Sequence, residues 1–285
     1  MNGSAPVNGS PWAAVSPCSA ACLAGGPPRV PLPVTLRRAA GFGAHLGGAL
    51  AAGGRLGSGE QIRRRAAVLL ADLGIRLDAP SGELAVPGAP TGTLVVANHI
   101  SWLDVLALLA VQPATLLAKR EVGSWPVVGT LVRRAGTRFI DRDGLRGLPG
   151  TVRELAALLR SGESVVVFPE GTTWCSVPGG PFRRATFQAA LDAGAPVRPV
   201  TLAYTSLGAP TTLPAYVGEG TFAGSMRRVA TARDLAVHVT AHPALDPAGH
   251  DRRSLAALAQ AAVFRGPHER VAAHSGRQRL SPSGV

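Results

Sequence analysis

Aromatic side chains make up only 5% of the 285-residue chain. So low a share argues against a stacking platform for single-stranded nucleic acid. Cysteine occurs three times, at Cys18, Cys22 and Cys175. An odd count without metal-type pairing predicts a reducing compartment and no structural zinc. Long apolar runs are missing too. The nearest approach is Ala39 to Gly54, sixteen residues broken by His45 and six glycines. That stretch is too short and too glycine-rich for a membrane span, though an interfacial or re-entrant helix fits it. No basic stretch precedes an apolar core near the start, so no secretory signal is read. Acidic residues are few, 17 against 29 basic ones, which leaves a net charge of +12.

What is present follows from that imbalance. A basic surface favours anionic partners: nucleic acid, acidic lipid headgroups or phosphorylated substrates. Nearly all the cations are arginine, which suits bidentate phosphate contacts. An Arg- and Ala-rich composition also follows from a GC-rich genome, so charge alone does not choose among these partners. Hydrophobic residues reach 46%, enough to fold most of the chain. His238 and His242 are four apart, but the alternation from Leu235 to Thr240 reads as a strand. Helical spacing is then irrelevant, and both histidines are read as surface residues.

From Thr93 onward, short β-branched runs alternate with helical patterns: strands at 93–97, 115–118, 137–140, 164–168, 197–203 and 235–240, strand-like 214–217, and helices near 102–111, 124–134, 150–160, 184–193 and 251–264. This order predicts an α/β fold, a single mixed, largely parallel sheet flanked by helices. Before it, Glu60 to Leu73 reads as an amphipathic helix bearing Arg63, Arg64 and Arg65. Packing on the core and lying on anionic lipid both fit that pattern.

The chain is organised around Asn98-His99-Ile100-Ser101-Trp102-Leu103-Asp104, which leaves one strand and enters a helix. An imidazole here takes a proton near neutral pH if one tautomer is fixed. Asp104 can fix it, with His99 in the loop and Asp104 in the first helical turn. A capping box of Ser101 and Asp104, with His99 incidental, fits the same residues. A second strand, Ser164 to Phe168, ends in Pro169-Glu170-Gly171-Thr172-Thr173, a carboxylate, a glycine and two hydroxyls at a strand's end.

With Gly136 to Arg142 between these stretches and Ala195 to Val200 after them, four ordered blocks are present: NHxSWxD, GxxFIDR, FPEGT and APVRPV. Together they resemble the glycerolipid acyltransferase superfamily, from about Leu73 to Val263. The resemblance implies O-acyl transfer from an acyl-CoA or acyl carrier protein thioester to a lysolipid hydroxyl, foremost 1-acylglycerol-3-phosphate, without a cofactor. It implies His99 as the general base, oriented by Asp104, a role that typically contributes roughly 10²–10⁴-fold. No G-x-S-x-G elbow occurs, which agrees with direct transfer. Oxyanion donors are expected from backbone N–H groups near Gly171 and Thr172. Asn98 either fixes the loop or the oxyanion, or is a turn residue bonding its own backbone. Glu170 is expected to bind acceptor hydroxyls or hold an arginine, or else to be structural. Arg142, with Arg138 as its neighbour, is the expected phosphate contact.

One departure stands out. Many family members have Arg where this chain has Thr173, so Arg183 or Arg184 is the expected substitute. The FPEGTT form and the following Pro181-Phe182-Arg183 also resemble the branch that acylates lyso-ornithine lipid, whose donor is acyl carrier protein. A non-catalytic basic protein binding membrane or nucleic acid explains the charge but not the motif order, and no nucleic acid is expected as partner. The predicted layout is a disordered tail over 1–34, a helical membrane-associating segment over 35–75, the acyltransferase domain over 76–264 and a flexible tail over 265–285. The expected location is the cytoplasmic face of the cell membrane, bound peripherally or shallowly inserted.

Overall fold

The fold was analysed in a computed structural model, which describes residues 14–23, 28–51, 59–80, 82–119, 138–140, 147–218 and 220–265. The predicted helix at 124–134 and Arg142 lie outside these residues. So does the side chain of Arg138.

Two helices come first, α1 (Leu32–Ala51) and α2 (Gly59–Asp72), then β1 (Ile75–Asp78), β2 (Leu94–Ala97) and α3 (Leu103–Val111). They are followed by β3 (Thr115–Lys119), β4 (Arg138–Ile140), α4 (Leu148–Arg160), β5 (Val165–Val167), α5 (Ala185–Ala193) and β6 (Val197–Ser206). The short β7 (Ala209–Pro210), α6 (Phe222–Thr231), β8 (Leu235–Ala241) and α7 (Arg252–Phe264) complete the described elements.

The strands form one sheet in the order β1-β8-β6-β2-β5-β3-β4, with β7 paired to β6. From β6 to β4 every neighbouring pair is parallel. β8 runs antiparallel to β6 and parallel to β1. The expected mixed, largely parallel sheet is therefore present.

Alternation along each strand divides the core in two. Val95, Ala97, Val166, Val200 and Leu202 point to one face, where Phe42 of α1, Leu69 and Leu70 of α2, most of α3, and Val229 of α6 cover them. Leu94, Val96, Val165, Val167 and Val197 point to the other, under Leu155 and Leu159 of α4, Phe187 of α5 and Leu255 of α7. A sheet covered on both faces needs strands that are apolar throughout, as β2 and β5 are.

The structure differs from the sequence reading in four places. The segment expected to be a disordered tail includes Ala14 to Leu23, which packs on the domain with Cys18 buried and a 3₁₀ turn at Ala20–Cys22. The first helix begins at Leu32 rather than near Ala39. Residues 214–217 form no strand, and Tyr216 N–H instead donates to the Ile100 carbonyl, 2.9 Å away. β1 and α6 were not read at all. β1 has only four residues and owes its form to pairing with β8. α6 buries just Ser225, Val229 and Ala230, too thin a stripe to stand out.

Among the described residues no helix is long and apolar enough to cross a membrane. Arg38 is directed inward, its guanidinium donating to the carbonyls of Ala230 and Ala232 at the end of α6, 3.1 and 2.7 Å away. Orphan carbonyls at a helix C-terminus are satisfied this way.

Candidate active site

β2 and β5 are parallel neighbours, so the loops leaving their C-terminal ends emerge on the same edge of the sheet. Asn98 is the first residue past β2. It is buried, and its amide closes on β6: Nδ2 donates to the Leu202 carbonyl at 2.9 Å and Oδ1 accepts the Leu202 N–H at 2.8 Å. The amide thus bonds a neighbouring strand rather than its own turn, and it fixes where the loop begins.

Asp104 sits in the first turn of α3 with no exposed surface. Its Oδ2 accepts from His99 Nδ1 at 2.8 Å, Ile100 N–H at 2.6 Å and Ser101 N–H at 2.8 Å. Its Oδ1 accepts the Tyr204 hydroxyl at 2.6 Å. Four donors around one buried carboxylate offset the cost of removing it from water. The His99 proton is thereby held on Nδ1, and Nε2 is left as the acceptor nitrogen. The two readings of this stretch converge. Asp104 does bind a backbone N–H of the helix start, and it binds His99 as well. The ring of His99 stacks on Phe168 with centroids 4.0 Å apart and planes inclined by 17°. Burial and the nearby Asp104 charge push the Tyr204 phenol well above its usual pKa, so it remains a donor.

The second loop is tied to the first through backbone groups. Glu170 Oε2 accepts His99 N–H at 2.6 Å, and Oε1 accepts Gly180 N–H at 3.0 Å. Both oxygens accept from main-chain donors. Burial pushes this carboxyl up to about 8, against the two N–H bonds that favour its charge, and the Asp104 charge adds to the rise. Trp174 N–H donates to the His99 carbonyl at 2.8 Å. Its indole lies on bare backbone, since a Cβ on Gly180 would stand 2.3 Å from Trp174 Cζ2 and one on Gly179 would stand 1.9 Å from Glu170 Oε1.

The expected oxyanion donors are only partly available. Gly171 adopts φ 78°, and its N–H turns back to the Phe168 carbonyl at 3.1 Å. Of the two residues named, Thr172 is the one whose N–H is not committed to that turn. Thr173, which occupies the arginine position, donates its hydroxyl to the Tyr216 carbonyl. Arg183 is exposed and its side chain lies beside Gly171, with Nε 3.1 Å from where a Cβ would be. Arg184 is exposed at the N-cap of α5. Arg142 and the side chain of Arg138 lie outside the described residues.

Tyr204, Phe168, Trp174 and the Gly179-Gly180 pair were not read as site residues. Tyr204 had a signal, being an in-pointing residue of β6 in register with Val200 and Leu202. The paired glycines after the FPEGT block were another. The cysteines also depart from expectation. The Sγ atoms of Cys18, Cys22 and Cys175 all lie within 4.8 Å of one another, although their positions showed no metal-type pairing.

Residues 85–203 match the family described as Acyltransferase. The lyso-ornithine lipid O-acyltransferase of Pseudomonas aeruginosa is 36% identical over 183 residues, 64% of this chain and 70% of that protein. The chain belongs to the acyltransferase family. The 1-acyl-sn-glycerol-3-phosphate acyltransferase of Neisseria gonorrhoeae is 40% identical over 157 residues, 55% of this chain, but the match spans only 60% of that protein's length. A crystal structure of the 1-acyl-sn-glycerophosphate acyltransferase of Thermotoga maritima shares the fold at a TM-score of 0.59 and 21% identity, covering 82% of this chain and 93% of that one.

Proposed function

We propose that this acyltransferase-family chain moves an acyl group from a thioester donor to the free hydroxyl of a lysolipid, with 1-acylglycerol-3-phosphate as acceptor and phosphatidic acid as product. The observation that carries the reading is the His99 Nδ1–Asp104 Oδ2 bond of 2.8 Å, made by a carboxylate with every other donor in place. A thioester is a good electrophile, whereas a lipid hydroxyl is a poor nucleophile until its proton is removed. His99 Nε2 takes that proton as the hydroxyl oxygen bonds to the thioester carbon. Charge develops on the carbonyl oxygen and is assigned to the backbone N–H of Thr172. The C–S bond then breaks, and the thiolate takes the proton back from His99. No acyl-enzyme forms.

Glu170 and Trp174 act by position. They fix the His99 backbone from both sides, so the imidazole is presented at one place on the edge of the sheet. Phosphate contact is assigned from sequence to Arg142, with Arg183 beside Gly171 as its nearer described companion. Binding to the membrane surface is peripheral, through the face of α1 that exposes Leu32 and Leu36.

Lyso-ornithine lipid is the second reading of the acceptor. Two observations favour it: the Pseudomonas aeruginosa relative is matched over more of its length than the Neisseria one, and Thr173 replaces the family arginine. The test is turnover of both acceptors with acyl-CoA and with acyl carrier protein as donors, the products identified by mass spectrometry. Lysophosphatidate turnover is expected, with Arg142→Ala raising its KM about tenfold or more, or about 1.4 kcal/mol. Lyso-ornithine lipid turnover alone moves the assignment to the second acceptor. Free fatty acid as the sole product overturns transfer altogether.

A further inference from the structure

Cys18 lies two residues before the short turn Ala20–Cys22 and Cys22 ends it, in a segment with little regular structure. Cys175 follows Trp174, more than 150 residues further along the chain. The three sulfurs nevertheless meet, Cys18 Sγ being 3.3 Å from Cys175 Sγ and all three within 4.8 Å of one another. We propose that these cysteines bind one thiophilic d¹⁰ ion, zinc(II) or copper(I), which staples the segment Ala14–Leu23 to the loop that carries Trp174.

Spacing supports a single ion. A zinc–thiolate bond is about 2.3 Å, which places the sulfurs around one ion at about 3.8 Å from each other. Sulfurs bound to the separate irons of a cluster stand much further apart. A disulfide between Cys18 and Cys175 would use two sulfurs and give the third no reason to converge. The surroundings also suit thiolates. Cys175 N–H donates to Cys18 Sγ at 3.3 Å, an outer-shell bond of the kind that steadies a metal-bound sulfur. Ser19 Oγ accepts Ala21 N–H at 3.3 Å, and Thr212 Oγ1 donates to the Cys22 carbonyl at 2.8 Å, so both ends of the Cys18–Cys22 turn are fixed. Cys18 and Cys175 are buried, while Cys22 is half-buried. That open side leaves room for a water as fourth ligand to zinc, and the Ser176 hydroxyl is 4.0 Å from Cys175 Sγ. Copper(I) needs no fourth ligand. Binding releases the three thiol protons to solvent and changes no oxidation state.

The site is separate from the proton-transfer residues yet connected to them. Trp174 N–H holds the His99 carbonyl, and Ala14 Cβ is 3.0 Å from where a Cβ on Gly171 would stand. The ion would therefore brace the loop from the side opposite Glu170.

The test uses full-length protein purified under a reducing agent without chelator. Elemental analysis is expected to give about one zinc or copper per chain. Titration of the thiols with a mercurial should release the metal as three equivalents react. Cobalt(II) added to chelator-treated protein should produce a thiolate-to-cobalt charge-transfer band. Cys22→Ser, the substitution at the most exposed ligand, should weaken cobalt binding by more than the roughly 10–100-fold cost of losing an outer-shell partner. Its circular dichroism shows whether it folds, and the wild-type cobalt titration decides the matter if it does not. Metal-free protein whose three thiols react freely and which gives no cobalt band overturns the proposal. So does a Cys18–Cys175 disulfide in the same preparation. Neither readout depends on turnover, so failure of the metal site and failure of the acyl-transfer reading are distinguishable.

Discussion

The two loops of the site are held in different ways. The His99 loop carries a local clasp, Asp104 gathering His99, Ile100 and Ser101 within five residues, to which Leu202, Glu170 and Trp174 add ties from outside. The Glu170 loop is held by residues from elsewhere. Its carboxylate reaches His99 and Gly180, its Thr173 reaches Tyr216, and its Cys175 meets Cys18. A locally closed loop keeps its geometry when distant parts shift. One closed at long range reports on those parts.

Cutting the local loop at its centre should have the largest effect. His99→Ala removes the base and is expected to lower kcat by roughly 10²-fold or more. Circular dichroism should be unchanged, because Asp104 keeps its two backbone donors and Tyr204. A folded variant with near-normal turnover would sink the mechanism.

The contrast between the loops also governs what could be read from sequence. His99 and Asp104 were legible because loop and helix start share one short stretch, and strand alternation revealed the two-faced sheet. Tyr204 was not, since its bond to Asp104 spans 100 positions and depends on β6 lying beside β2. The cysteine cluster was invisible for the same reason, with two members, Cys18 and Cys22, in a segment whose composition reads as a tail. For Glu170 the sequence leaves acceptor binding, an arginine contact and a structural role open, because its backbone partners have no side-chain signature.

The long-range loop is best probed where it touches bare backbone. Gly180→Ala drives a methyl into the indole of Trp174, the residue whose main-chain N–H holds the His99 carbonyl. Overpacking of this kind typically costs about 1–3 kcal/mol. Denaturant unfolding should register that loss, and kcat should fall while KM for the donor changes less. Tyr204→Phe tests the tie between β6 and Asp104. It leaves one oxygen of a buried carboxylate without its donor, a loss of about 1–3 kcal/mol. Unfolding midpoints unaltered by either substitution would mean that these contacts carry no weight.

Glu170 gives the comparison a pH axis. Its carboxyl is pushed up from an ordinary 4.5 to about 8, so between those values the folded chain holds a proton that the unfolded chain has lost. The stability contributed by this group is therefore complete below about 4.5 and is lost as pH rises through about 8. Thermal unfolding from pH 5 to pH 9 should show a decline toward the alkaline end that Glu170→Gln flattens. An equal decline in both proteins would assign the titration to another group.

The smallest effect is expected at the surface, where α1 and α2 differ in how their arginines are used. On α2, Arg63 and Arg64 bond Glu60 at 2.8 and 2.9 Å, so part of their charge is already answered. On α1, Arg38 is spent on the carbonyls that end α6, and Arg37 is exposed beside Leu36, with Leu32 one turn earlier. An exposed cation next to apolar side chains suits the headgroup boundary of an anionic bilayer. Arg37→Ala should therefore weaken sedimentation with anionic vesicles by roughly fivefold at low salt, the worth of one basic residue near such a surface. Arg63→Ala should weaken it less, because the charge removed was shared with Glu60. Both differences should shrink as salt rises and screening shortens the range of the attraction. If Arg63→Ala proves the more damaging, the bilayer faces α2 instead, and the membrane contact belongs to the helix that carries the ion pairs.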